Sequence, residues 1–174
     1  MKLCILGGGL TGLSLAKSLV KKGLSIDIFL NKKKSDFNRS RTIGISNDNL
    51  MYFNKEILDI KKLFWDIKKI EIYSENLRNE KILNFENNNK TVFAIIRNYQ
   101  LQSKLLKSLK KDKLCKFKKN FDYNLSNLKK YKLIINCEND NYFSKKFFAR
   151  SLKKKYDSLA YTTILKHEKI QNNT

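Results

Sequence analysis

The chain has 174 residues, with 37 Lys and Arg against 16 Asp and Glu for a formal net charge of +21, 41% hydrophobic residues, six glycines and no proline. That length allows one domain or a little more, and apolar residues are spread along it densely enough for a packed core, which excludes a collagen, a linker and wholesale disorder. Lys and Asn interrupt every apolar run short of the roughly 18 residues a membrane-spanning helix needs, so a soluble chain is expected.

Met1 to Leu6 is a short apolar run ending at glycine, the pattern of a buried strand. Leu10, Leu13, Ala16, Leu19 and Val20 then recur at helical spacing, with Lys17, Lys21 and Lys22 left for the polar side. Gly23 closes that helix, and Leu24, Ile26, Ile28 and Leu30 resume with the period of a strand. The first thirty residues therefore predict a β-α-β unit, whose crossover should be right-handed and place both strands in one parallel sheet. After a basic, polar loop from Asn31 to Ser40, Thr42 to Ile45 is short and apolar, and Ser46 is placed to cap a helix carrying Leu50, Phe53, Ile57 and Leu58. Leu63, Phe64 and Trp65 suggest a second, less regular helix or turn. Ile70 to Tyr73, Ile82 to Phe85 and Val92 to Ile96 have strand length and turn signals between them, an antiparallel insertion rather than further β-α-β. Asn98 opens a helix with Leu101, Leu105, Leu106 and Leu109 on one face and Lys110 to Lys113 at its end, in accord with the helix dipole. Leu133 to Cys137 reads as a buried strand, and Ser158 to Lys166 as one more strand after which the chain stops, an ending that looks premature.

Gly7-Gly8-Gly9-Leu10-Thr11-Gly12 fits G-x-G-x-x-G and lies between the first predicted strand and helix, the context that motif requires. Gly7 would permit the tight turn, Gly9 would let a diphosphate approach the backbone, and Gly12 would let helix and strand pack closely. The anion would then meet unpaired amides at the positive end of the helix dipole. The acidic residue that receives ribose hydroxyls should stand about 20 residues on, at the end of the second strand. Leu30 or Asn31 occupies that place, Asp27 lies within the strand and Asp36 in the loop. Asn31 can hydrogen-bond a hydroxyl without supplying a carboxylate, and Lys32 to Lys34 would suit a 2′-phosphate.

Cys4, Cys115 and Cys137 are odd in number, far apart and without a C-x-x-C pair, so neither a disulfide framework nor a metal site is expected and the compartment should be reducing. Met1-Lys2 followed by Leu3 to Ala16 has the outline of a short signal peptide, but Gly7, Gly8, Gly9 and Gly12 break its apolar core, and a cytoplasmic location is expected. The charge would ordinarily raise nucleic acid or anionic membrane as a partner, because lysines release condensed counterions from phosphates. Here lysines fall in short scattered runs between apolar segments, the pattern of solvated faces and loops, and no nucleic-acid partner is expected. Trp65 and the Phe and Tyr residues read as core, and His167 has no paired catalytic signature.

Several segments together resemble the flavin-dependent hydroxylases of ubiquinone biosynthesis, within the wider class of FAD aromatic-ring monooxygenases. Gly7 to Gly12 is similar to their FAD diphosphate loop, and Arg41-Thr42-Ile43-Gly44-Ile45-Ser46 to the segment that carries an arginine past the flavin, with Arg41 the matching residue. Asn98 to Leu105 resembles their N-x-x-L-x-x-x-L helix. Leu133 to Ser144 resembles the strand and turn of their second dinucleotide motif, Asp-Gly-x-x-Ser, with Glu138 and Asn139 in place of Asp and Gly and Tyr142 or Ser144 in place of Ser. A third motif, Gly-Asp-Ala, is absent, and relatives are more than twice as long.

The resemblance implies an α/β, Rossmann-type FAD-binding fold with an antiparallel β insertion, truncated. It implies one incomplete FAD-binding domain over 1–174, with 59–97 as a helical and antiparallel insertion and 158–174 as the start of a substrate-domain sheet. It also implies an oxidoreductase in which NAD(P)H reduces FAD and oxygen activated by the reduced flavin hydroxylates a prenylated aromatic or quinone-precursor ring, and whose truncated chain can be inactive alone. The cofactor-binding residues it implies are Gly7, Gly9, Leu10, Thr11, Gly12, Asn31, Arg41 and Glu138, with no catalytic side chain assigned. Peripheral association with the inner membrane or a ubiquinone-pathway complex accompanies it. Rival readings are an NAD(P)-binding oxidoreductase domain and a basic nucleic-acid-binding protein.

Overall fold

The computed structural model describes residues 2–30, 39–88, 90–124, 128–148, 150, 152 and 154–159. In chain order the elements are β1 (Lys2–Leu6), α1 (Leu10–Lys21), β2 (Ser25–Leu30), β3 (Thr42–Ser46), α2 (Asn47–Tyr52) continued by a π turn (Phe53–Ile57), β4 (Phe64–Ile67), β5 (Lys69–Ser74), a 3₁₀ turn (Glu75–Leu77), β6 (Glu80–Glu86), β7 (Phe93–Arg97), α3 (Asn98–Lys110), β8 (Cys115–Lys119), β9 (Leu133–Asn136) and α4 (Tyr142–Phe147). They form two compact units, one of Met1–Phe37 with Gln102–Thr162 and the other of Asn38–Leu101 with Thr163–Thr174.

The first unit holds a four-stranded sheet, ordered β8-β2-β1-β9 and parallel throughout. Helix α1 ends as its sequence suggests: Gly23 takes φ +77° and its N–H bonds the Val20 carbonyl, while the Leu24 N–H bonds that of Leu19. This is a Schellman closure, in which glycine bears a left-handed conformation that costs other residues energy. Both faces of the sheet are covered. Helix α1 packs on β1 and β2, burying Gly12, Leu13, Ala16 and Val20. Behind the opposite face, Cys4, Leu6 and Tyr131 form a cluster with Phe29, Phe121, Tyr123, Ile134 and Phe143. Phe121 meets Phe29 edge-on at 4.8 Å, the arrangement that the ring quadrupoles favour.

Asp27 is fully buried in mid-strand, paired across β1 with Cys4. Its carboxylate accepts a 2.7 Å hydrogen bond from the Tyr131 hydroxyl and pairs with Lys2 Nζ at 3.0 Å and Lys118 Nζ at 2.6 Å. Burial alone would push this carboxyl up, but the bonds from Lys118, Tyr131 and Lys2 outweigh it and hold Asp27 below the usual carboxylate range. Burial, followed by the Asp27 charge, pushes the Cys4 thiol up to about 12. Burial and the Asp27 bond do the same to the Tyr131 hydroxyl, also to about 12. Asp27 thus ties β1, β2, β8 and the segment before β9 together and has no capacity left to serve a ribose on Oδ2.

The second unit is antiparallel. Strands β3-β7-β4 form one sheet and β5-β6 a separate hairpin with a register shift at Ile72/Tyr73. Among the described residues Leu50, Ile57, Ile60, Ala94, Ile96 and Leu101 are its buried hydrophobic residues. Gly44 leaves room for a neighbour's ring, since a Cβ there would stand 2.5 Å from Phe93 Cε1.

The structure corrects the sequence reading at several elements. Leu63 to Trp65, expected in a helix or turn, leads into strand β4, because Phe64 pairs with Ile96 and Trp65 with Ile95 on β7. Pairing supplies the backbone partners that no local signal announced. Ser46 occupies the N-cap position of α2 without a side-chain cap bond, and Leu58 is extended beyond the π turn. Strand β8, unanticipated, alternates Cys115 and Phe117 with lysines and pairs with β2; its lysines lowered its apparent strand propensity. The final strand read over Ser158 to Lys166 falls outside the described residues from 160 on, and Ser158 and Leu159 are not in a strand. Asn31, Lys32 to Lys34, Asp36 and His167 lie outside the described residues as well.

Candidate dinucleotide-binding site

In the first unit the chain lays down β1, β2 and β8 in one direction, then returns to place β9 on the other side of β1. This is the 3-2-1-4 order of a dinucleotide-binding sheet, and the reversal opens a crevice outside the carboxyl ends of β1 and β9. The segments that meet there are the Gly7–Gly12 loop and the turn after Asn136. The Cys137 N–H bonds the Leu6 carbonyl at 2.8 Å, continuing the β1–β9 ladder to the mouth of the crevice.

Each motif glycine has a different physical reason. Gly7 adopts φ +116°, and a Cβ on it would stand 2.9 Å from Glu138 Cγ and 3.1 Å from the Cys137 carbonyl oxygen. Gly12 has no room at all, since its Cβ would come within 2.2 Å of the Gly7 carbonyl oxygen. Gly9 is the opposite case: it caps α1 in an extended conformation, is exposed, and a Cβ on it would meet nothing within 4 Å. Two glycines hold the turn tight, and the third keeps an approach open.

The start of α1 is chemically prepared for an anion. No side chain caps it and its first turn carries no acidic residue, so the amides of Leu10 and Thr11 point out of the helix without intrahelical acceptors. The Gly7 amide is committed to the Phe29 carbonyl at 3.0 Å. Gln102 on α3 reaches the loop, donating from Nε2 to the Gly8 carbonyl at 2.9 Å. Sequence reading missed Gln102, because nothing in a helix heptad reveals that a residue 94 positions away meets a glycine turn.

The turn after β9 is rigidified by its own polar network. Asn141 Nδ2 donates to Asn136 Oδ1 at 2.6 Å, the Ser144 amide to Asn141 Oδ1 at 2.9 Å, and Ser144 Oγ to the Glu138 carbonyl at 2.8 Å. Ser144 thus closes this turn through both its amide and its hydroxyl, whereas the Tyr142 hydroxyl accepts from Lys146 Nζ at 3.2 Å. The Glu138 amide donates to Asn136 Oδ1 at 3.1 Å, which sets Glu138 beside Gly7. In the second unit Arg41 is exposed just before β3, and its carbonyl accepts the Asn98 amide at 3.0 Å.

No protein-family model and no curated protein matches the sequence. Solved structures match the fold. A probable FAD-dependent monooxygenase from Pseudomonas aeruginosa, PqsL, aligns with TM-score 0.64 and 10% identity over 90% of this chain and 48% of its own. The p-nitrophenol 4-monooxygenase PnpA from Pseudomonas putida aligns with TM-score 0.56 and 17% identity over 68% of this chain and 31% of its own. HpxO from Klebsiella pneumoniae, complexed with FAD and uric acid, aligns with TM-score 0.51 and 18% identity over 67% of this chain and 30% of its own. At such identities the likeness is one of fold. The chain thus has the α/β architecture, parallel sheet plus antiparallel strands, found in FAD-dependent monooxygenases. It spans 31% of the length of PnpA and 48% of that of PqsL.

Proposed function

We propose that this chain is the FAD-binding portion of a flavin-dependent monooxygenase that hydroxylates a small aromatic compound, with NAD(P)H as reductant. The observation that carries the reading is the glycine turn at the strand-order reversal, where Gly7 and Gly12 are sterically obligatory while Gly9 opens onto free space beside uncapped amides. The residues present fit the cofactor. Leu10 and Thr11 amides would take the diphosphate, Gly9 would let it approach, and Gly7 and Gly12 would hold the loop in shape. Glu138, a carboxylate beside that loop, suits a hydroxyl donor of the ribose or ribityl chain rather than a phosphate. Asn31 is the sequence candidate for the adenosine ribose and Arg41 the cationic candidate for the flavin. FAD, once bound, supplies electron storage and oxygen activation; the protein's share is to bind, orient and exclude water.

The finer assignment is a prenylated ring of ubiquinone biosynthesis. It draws on the resemblance of Arg41 to Ser46 and of Leu133 to Ser144, and the bound uric acid of HpxO supports a small ring as substrate. Peripheral contact with the inner membrane belongs to the same resemblance. Among the described residues no helix is long and apolar enough to cross a membrane.

Titrating FAD into the purified chain tests the reading through quenching of flavin fluorescence. Saturable quenching is expected, with affinity at least about tenfold weaker in Gly9→Val, a loss of about 1.4 kcal/mol, and an unchanged circular dichroism spectrum. Equal affinity in the two proteins would overturn the assignment.

A further inference from the structure

The β3-β7-β4 sheet has a second face that the flavin reading does not use. Thr42 pairs with Arg97, Gly44 with Ile95 and Trp65 with Ile95, so Thr42, Gly44, Trp65, Ile95, Arg97 and Phe93 share one side of the sheet by the two-residue period. That side is open, since Trp65 is 49% exposed. The Arg97 guanidinium carbon lies 5.4 Å from the centre of the Trp65 ring, in the geometry of a cation–π contact.

Arg97 is short of partners. Its Nε is shut off from solvent with no hydrogen-bond partner, and among the described residues no carboxylate forms an ion pair with it. A guanidinium keeps its charge at every physiological pH and offers a planar fork that matches a carboxylate. Half-burying such a group without a counter-ion is costly, and that cost is relieved by an arriving anion. Beside it Trp65 and Ile95 offer apolar surface, and the Phe93 ring, lying over Gly44, bounds that surface on the same side of the sheet.

We propose that this face is a binding shelf for a planar aromatic carboxylate, its ring lying on Trp65 and Ile95 and its carboxylate paired with Arg97. The charge without a counter-ion selects the anion, and the indole selects a ring over an aliphatic chain. All the residues belong to the second unit, so the shelf does not rest on the flavin site.

Trp65 is the sole tryptophan of the chain, so its emission reports on the shelf directly. The full chain, without flavin, is titrated with benzoate and in parallel with benzamide, its neutral isostere. Saturable change in Trp65 emission by benzoate is expected, with benzamide and the Arg97→Gln variant each weaker by about tenfold or more, as expected for losing a charge-assisted pair. Arg97→Lys, which keeps the charge and loses the fork, should fall between. Absence of saturation with benzoate, equal response to benzamide, or unchanged affinity in a folded Arg97→Gln would overturn the proposal. The benzoate–benzamide contrast on the unaltered chain decides the matter if that variant does not fold.

Discussion

Strands β2 and β6 are of similar length, six and seven residues, and both carry isoleucine, leucine and phenylalanine. Yet Ile26 and Ile28 in β2 are completely buried, whereas every residue of β6 is exposed, with Leu83 and Phe85 each at 47%. Composition separates them only in part, one charged residue in β2 against three in β6; neighbours do the rest. Strand β2 has β1 on one edge and β8 on the other, with α1 on one face and the Tyr131 aromatic cluster behind the other. Strand β6 has β5 alone. A two-stranded hairpin is only marginally stable in water, while a parallel sheet requires cover on both faces. The part of the chain that must hold a rigid loop is thus built from the strands with most partners, and the same apolar residues do far less in the hairpin.

The largest break of this contrast is expected at Gly12. Gly12→Val drives a branched side chain into the Gly7 carbonyl and should destabilise the first unit by about 3 kcal/mol or more, read as a fall in the thermal midpoint. Gly9→Val, one turn away and facing open space, should leave that midpoint nearly unchanged.

Asp27→Asn comes next, at about 3 kcal/mol in chemical denaturation. That is the low end for breaking a buried charged cluster, because Lys2 and Lys118 reach solvent. It also carries a pH signature. The Asp27 carboxyl is held below its ordinary 3.8, so its contribution is complete at neutral pH and is lost as acid protonates it below that value. Cys4 and Tyr131 are raised from 9.0 and 10.0 to about 12. Their contribution is full at neutral pH and lost as the pH climbs from about 9 toward 12. Asp27→Asn should flatten the acid limb of the stability–pH curve and only soften the alkaline one, where burial is the larger cause, and a curve unchanged in shape would separate the cluster from stability.

The smallest effect is expected in the hairpin. Leu83→Thr should change stability by no more than about 0.5 kcal/mol, and hydrogen exchange should find β5 and β6 amides opening well before those of β1 and β2. Protection of β6 equal to that of β2 would show that the hairpin has a partner in solution.

Much of this molecule was readable residue by residue. The alternation of Leu24 to Leu30, the helical recurrence from Leu10 to Val20 and the glycine spacing between them are local signals, each carried by residues within a turn of one another. The strand β8 was hidden because its lysines lowered the apparent strand propensity while its period of two survived. Strand β4 was hidden because Phe64 and Trp65 lie too few residues apart to choose between turn and strand without β7 beside them. The candidate site divided in the same way: the loop glycines were legible, while Gln102 and the Asn136–Asn141–Ser144 network were not.

What the order of residues by itself determined is the β-α-β unit and its glycine turn, because backbone freedom, capping and side-chain period act over a few bonds. Tertiary structure alone decided which neighbours that turn receives. Gln102 reaches it from 94 positions away, and the Tyr131 hydroxyl donates to Asp27 from 104. Contacts of that span depend on strand order and on the burial that strand order permits, and neither leaves a period in the chain.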